Sequence, residues 1–321
     1  MANAKQKDAD LEEIDKLVAP WPNLGRLVNV VLSLWPEHAS YLRKSLSARS
    51  NAMMATSDHV ASAVLALANE QSQKIARDYR WLGDQIREEE IEFARTGRYR
   101  YSTFEQTNAN IYSDDVFMER YMHGLLFSHV LWYMHASSLH FFRTRLEARL
   151  PKGGRVLEVG SGHGLLLYLA LTDLGQAEAH AWDLSEVSLA QTRAALALLG
   201  AERQSQFAIQ DMHTVSPNDG ETFDLIILSH ILEHLESPIS ALERMRPVFN
   251  KKSLLFVNVP INAPMPDHVF LLESPDETVD LLRRAGYRTV EMATHTTQGM
   301  TLAQALKRKT AVTCSIIAEA T

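Results

Sequence analysis

The residues best suited to chemistry lie in one run near the middle of the chain, Val156-Leu157-Glu158-Val159-Gly160-Ser161-Gly162-His163-Gly164. A buried-strand pattern carrying one acid breaks into three alternate glycines, and an apolar helix-forming run, Leu165 to Leu174, follows at once. A strand, turn and helix of this kind let a ligand press on bare backbone at a helix N-terminus. The spacing narrows the ligand. A dinucleotide fingerprint, G-x-G-x-x-G, needs its third glycine at 165, where Leu165 stands instead, and this disfavours a nicotinamide oxidoreductase.

Further strand ends carry polar side chains. Ala179-His180-Ala181-Trp182-Asp183 reads as a short strand closed by a carboxylate, with Leu184 beside it. In doubly wound folds that position meets a ribose, whose vicinal hydroxyls a carboxylate accepts. Gln206 to Gln210 leads into Asp211 and Met212. Phe223 to Leu228 is short and apolar enough for a buried parallel strand, and it ends on Ser229 and His230. A loop stiffened by Pro260, Pro264 and Pro266 carries Asn262 and His268 and is expected to wall a substrate site. Histidine suits proton removal because its unperturbed pKa is about 6.5. His230, His268 and His129 are therefore the candidate bases. His230-Ile231-Leu232-Glu233-His234 also spells H-x-x-E-H, an inverted zinc-protease order. It starts at a buried strand end, not inside a long exposed helix, so no metal is expected and one remains a minor alternative. Glu233 and His234 are read as stabilising the turn into the next helix.

In this order and at these spacings, residues 151–321 resemble the class I S-adenosylmethionine-dependent methyltransferases of the small-molecule type. The resemblance implies an α/β fold, a doubly wound seven-stranded Rossmann-like sheet with its last strand antiparallel. It implies S-adenosyl-L-methionine as cofactor, with Glu158, Gly160, Ser161, Gly162 and Gly164 on the methionine side. Asp183 and Leu184 then fall at the ribose, Asp211 at the adenine amino group, Met212 on the ring and Ser229 toward the methyl group. In such enzymes a helical segment before the first motif folds over the donor. That makes Tyr121 a further donor contact, His129 a candidate base, and Tyr112, Trp132, His230, Asn262 and His268 candidate acceptor contacts.

The elements that must position these groups follow from pattern. The 321 residues suggest two domains, and 46% hydrophobic with 22% charged residues is an ordinary globular composition. We read residues 1–20 as a polar tail and short helix, residues 21–150 as a helical lid or oligomerisation domain, and residues 151–321 as the donor-binding domain. Helices are expected from Asn23 to Leu34, from Glu37 to Ala48, from a Ser57 cap to Arg95, and from a Ser113 cap to Leu150. The third has apolar residues at Val60, Val64, Leu67, Ile75, Tyr79, Leu82 and Ile86, a stripe that packs inside the chain or forms a homodimer seam. In the fourth, Tyr121, Leu125, His129, Trp132 and Ala136 share one face. Residues 97–113 lose the helical period and read as a loop or lid.

Charge and cysteine content limit the partners. A formal charge of -7 disfavours nucleic acid as the main partner. The single Cys314 fits a reducing compartment. Met1 to Asp10 lacks the apolar core of a signal peptide, and the apolar stretch 124–142 carries His129, His135 and His140, so a cytoplasmic protein without membrane spans is expected. The expected function is methyl transfer to a small-molecule acceptor at oxygen or nitrogen. The alternatives are a protein or RNA methyltransferase and a non-catalytic S-adenosylmethionine-binding partner subunit.

Overall fold

The computed structural model describes residues 2–202, 204–215, 221–297 and 300–321. One sheet contains β1 (Arg155–Val159), β2 (Glu178–Asp183), β3 (Ser205–Ile209), β4 (Phe223–Ser229), β5 (Phe249–Ile261), β6 (Tyr287–Thr296) and β7 (Val312–Ala320). Their order is β3-β2-β1-β4-β5-β7-β6. The first five pair in parallel, and β7 runs antiparallel to both β5 and β6. Val156, Leu157, Leu225, Ile226, Ile227 and Leu228 are all inaccessible to solvent. Unbroken apolar runs like these are what a parallel strand covered on both faces requires.

Alternate residues of the central strands feed two cores. Val156, Leu225 and Ile227 pack on the side of the N-terminal helices, α9 (Leu165–Thr172) and α10 (Glu186–Leu198), whereas Leu157, Ile226 and Leu228 pack with α11 (Pro238–Met245) and α12 (Pro275–Arg284). β1 and β4 are hydrogen-bonded neighbours, with Val156 beside Leu225 and Glu158 beside Ile227. From β1 the chain winds outward to β2 and β3, then crosses back to β4. The crevice for a ligand opens where the winding reverses, beyond the C-terminal ends of these two strands. A short helix absent from the sequence reading, α13 (Leu302–Arg308), opens with a capping box at Thr301 and precedes β7.

The preceding helices are α1 (Ala2–Val18), α2 (Pro22–Leu34), α3 (Ala39–Ser47), α4 (Asn51–Ala68), α5 (Ser72–Thr96), α6 (Phe104–Thr107), α7 (Asp115–Leu131) and α8 (Tyr133–Leu146). Most of the expected polar tail is therefore helix: Ile14 and Val18 are buried, and buried Asp10 pairs with Arg43 of α3 at 2.7 Å. The long helix expected after Ser57 is two helices. Ser50, not Ser57, caps the first, and Asn69 at φ 43° breaks the run before α5. Ser57 is buried and bonds the Met53 carbonyl and the Arg49 guanidinium. The expected 113–150 helix is likewise two, capped by Asp114 and broken at extended Trp132. There the freed Leu131 carbonyl accepts from Ser45 Oγ at 2.8 Å and Arg49 Nη2 at 3.2 Å, so the break leaves it hydrogen-bonded. Residues 97–113 include α6 and one π-helical turn, Asn108–Tyr112, between looser segments.

Val60, Val64, Ile75, Tyr79 and Leu82 are buried against other helices of the same chain. Among the described residues no helix is long and apolar enough to cross a membrane. α5 and α7 approach closely at Gly124, where an added Cβ would lie 2.7 Å from Leu82 Cβ and 3.2 Å from the Asp78 carbonyl. Gly124→Ala overpacks that contact and should lower stability by about 1–3 kcal/mol in urea unfolding; an unchanged midpoint would show that the two helices part freely.

Candidate active site

At the crevice the glycine loop takes a left-handed path, with φ of 68° at Gly160, 50° at Gly162 and 69° at Gly164. A Cβ on Gly160 would stand 2.2 Å from Ile231 Cδ1, so the loops after β1 and β4 touch only because the side chain is missing. Thr192 of α10 holds the loop from behind, donating to the Gly162 carbonyl and bonding Ser161 Oγ, both at 2.8 Å. Glu158 is buried at the end of β1, and its Oε2 has no hydrogen-bond partner within the protein. Burial holds its carboxyl well above the usual range. At the next strand end, Asp183 accepts from Ser185 N at 2.9 Å and Ser188 Oγ at 2.6 Å. Asp211 accepts from His213 N at 2.8 Å, and Met212 is buried beside it.

Opposite the glycine loop, the end of β4 carries His230 in a left-handed conformation, φ 57°. Its Nδ1 lies 3.0 Å from Glu233 Oε1 and its Nε2 3.0 Å from Asn258 Nδ2. Asn258 Oδ1 in turn accepts from Ser315 Oγ of β7, which bonds Ser138 Oγ of α8, each at 2.9 Å. A buried polar chain thus runs from the helical half through two strands to His230. Glu233 also holds the proline loop, because its carbonyl accepts from Val269 N and Phe270 N. Asp267 accepts from Tyr121 OH at 2.7 Å and from Tyr112 OH at 3.3 Å.

The helical half forms the other wall. His129 Nε2 meets His163 Nε2 of the glycine loop at 2.9 Å, so one ring donates and the other accepts. Trp132 Nε1 donates to Tyr79 OH at 2.9 Å, and His38 Nε2 bonds the same hydroxyl at 2.9 Å while its ring stacks on Trp35. Together these groups line one cavity of about 2410 Å³.

The cavity gathers most of the residues singled out from sequence: Glu158, Gly160, Ser161, Gly162, Asp183, Leu184, Asp211, Met212, Ser229 and His230 on one wall, Tyr112, Tyr121, His129, Trp132 and His268 on the others. Two lie outside it. Gly164 packs behind the loop, where its Cβ would meet Thr192, and buried Asn262 donates its amide to the Glu273 carbonyl at 3.2 Å, outside the cavity lining. The helical stripe also ends earlier than expected. The break at Trp132 sends Ala136 into the core and brings Met134 and His135 to the cavity. Sequence reasoning passed over His135, His163, Asp267, Asn258, Trp35 and Tyr79. Asn258 did leave a signal, since a lone amide inside an apolar strand must find a buried partner.

A family model described as a methyltransferase domain matches residues 133–308, more than half of the chain. The chain belongs to this methyltransferase family. It is an S-adenosylmethionine-dependent enzyme, as the sequence resemblance implied. No curated protein sequence matches it. Among solved structures, the methyltransferase is similar to an O-methyltransferase from neocarzinostatin biosynthesis, solved in complex with S-adenosyl-L-homocysteine and 1,4-dihydroxy-2-naphthoic acid. That pair shares 18% identity over 74% of this chain and 69% of the other, with a TM-score of 0.52. The mitomycin 7-O-methyltransferase has 13% identity over 78% of this chain and 71% of its own, with a TM-score of 0.51. At these identities the likeness is one of fold. The residues present in the methyltransferase fit its donor: the backbone cradle has no room for Cβ atoms, and the orphaned Glu158 oxygen suits an ammonium group.

Several histidines of the methyltransferase are held neutral by burial. His163 and His38 are each pushed down to about 4, and His129 and His135 well below the usual value. A depressed folded pKa means that the unfolded chain binds more protons between about pH 6.5 and 4, so stability falls as pH drops through that window. The melting temperature should fall over that range, and His163→Gln, which removes one such group, should flatten the decline. An identical pH profile in the variant would show that His163 does not take part.

Proposed function

We propose that the methyltransferase acts on a small-molecule acceptor at oxygen or nitrogen, a hydroxyl oxygen being favoured, with the helical half as its acceptor pocket. The observation that carries this reading is the cavity itself, which runs from the glycine loop past His230 to the aromatic wall of Trp132, Tyr79 and Trp35. The donor supplies a methyl group already activated on a sulfonium. The protein has then to align the acceptor, exclude water and receive a proton. In this reading the glycine loop and Glu158 hold the methionine end. Asp183, with two of its roughly four acceptor sites used by α10, has capacity left for the ribose hydroxyls. Asp211 and Met212 take the adenine, and Tyr112 and Tyr121 fix the proline loop through Asp267.

His230 is the base in this reading. Its Nδ1 donates to the Glu233 carboxylate, which strengthens Nε2 as an acceptor. To take the acceptor's proton, Nε2 exchanges its Asn258 contact for the substrate hydroxyl. His129 and His268 are secondary candidates. The single, buried Cys314 supports a cytoplasmic setting. A homodimer through the N-terminal helices has less support, because the apolar stripe is used within the chain.

S-adenosylhomocysteine should raise the melting temperature where NAD does not, and Asp183→Ala should weaken its binding about 10- to 100-fold by calorimetry, the loss of one or two charge-assisted hydrogen bonds. Full affinity in the variant would move the ribose elsewhere. His230→Asn keeps a residue that tolerates positive φ, so it removes the base without straining the turn. Transfer should slow about 10²–10⁴-fold with unchanged donor affinity, and a wild-type rate across pH would exclude His230 as base.

A further inference from the structure

Beneath the proline loop three side chains from two segments converge: Glu233, His234 and His268, whose nearest ligand-type atoms all lie within 4.8 Å of one another. Their hydrogen bonds fix which atoms are free. His268 Nδ1 meets the Ala263 carbonyl at 2.8 Å and His234 Nδ1 meets the Asp267 carbonyl at 3.1 Å. A carbonyl only accepts, so Nδ1 of each ring carries a hydrogen, and the neutral form of each ring then has its lone pair on Nε2. This is the arrangement that orients a ligating histidine, with one nitrogen tied to a carbonyl and the other free to bind a metal. His268 Nε2 faces Glu233 Oε1 at 4.0 Å. Two acceptors that face each other in a buried place repel unless a cation lies between them.

Glu233 supplies an independent observation. Its side chain is wholly buried, and of its two oxygens only Oε1 is bonded, to His230, while Oε2 has no partner. A buried carboxylate oxygen without a donor is costly, and an ion bound through both carboxylate oxygens would satisfy Oε2 along with Oε1. His234 and His268 both line the cavity, so an ion held there would present its open positions to whatever fills the acceptor end.

We propose that Glu233, His234 and His268 form a site for a divalent first-row metal ion, such as zinc or manganese, at the acceptor end of the cavity. Two imidazoles and one carboxylate suit that class of ion better than magnesium or calcium, which prefer all-oxygen shells. The open positions would take an acceptor oxygen and lower its pKa, placing the ion beside His230. The site concerns binding by the protein itself and does not depend on the identity of the acceptor.

The test uses the full chain, stripped with a chelator and dialysed. Titration with zinc chloride and with manganese chloride, followed by calorimetry and by thermal unfolding, should give one equivalent bound and a rise in melting temperature. Glu233→Gln and, as a second variant, His268→Gln should each weaken binding at least about tenfold. S-adenosylhomocysteine affinity, measured on the same samples, checks that each variant is folded and separates failure of this site from failure of the donor assignment. No saturable binding by the unmutated protein at millimolar ion, or equal affinity in a variant that still binds S-adenosylhomocysteine, would overturn the proposal.

Discussion

The pairing of β1 with β4 is the constraint from which the rest of the site follows. With Glu158 in register with Ile227, the two strands end together, and the loops that leave them have to diverge. The glycine loop and His230 therefore face each other across a gap that the sheet sets, not the loops. The close contact of Gly160 with Ile231 marks how narrow that gap is at its base. Everything farther out, including the carboxylates at the ends of β2 and β3, lies on the same side because parallel strands direct their C-termini together.

The helical half completes what the sheet leaves open, and it does so through polar contacts more than through shape alone. The His129–His163 pair fastens α7 to the glycine loop, Tyr121 fastens it to Asp267, and Ser138 reaches Asn258 through Ser315. The first two bonds lie in the cavity wall, and the third is buried behind it between helix and sheet. Each joins the helical half to the sheet or its loops, so the geometry of the wall is sensitive to any one member.

Much of the sheet was legible in the sequence because its signals are local. Val156 to Gly164, Asp183 and Phe223 to His230 each carry their strand, turn and ligand-facing group within ten residues, and the sheet order follows once the family is suspected. The helical half was harder for a physical reason. Periodicity runs straight through Asn69 and through Trp132, because a break that keeps the apolar face in phase leaves no gap in the pattern. The groups that satisfy the second break, Ser45 and Arg49, come from more than 80 residues away. For the same reason Trp35 and Tyr79 could not be assigned to the site, since only the packing of α2 on α5 and of α5 on α7 brings them there. Asn262 differs from its neighbours in the opposite sense: its loop lines the cavity, but the Glu273 carbonyl accepts from its amide and keeps it out of the lining.

The break at Trp132 also bears on the optical behaviour of the molecule. α8 rests on the sheet through Ser138 and Phe142, whose ring packs on Phe256, while α7 forms the roof, and the indole stands at the junction between them. Its N–H is bound to Tyr79 and its ring lies 4.8 Å from that of His135. A molecule entering the cavity thus meets an indole whose surroundings belong to both roof and base. Of the five tryptophans of the chain, Trp132 and Trp35 line that cavity, so their emission would change with its occupancy.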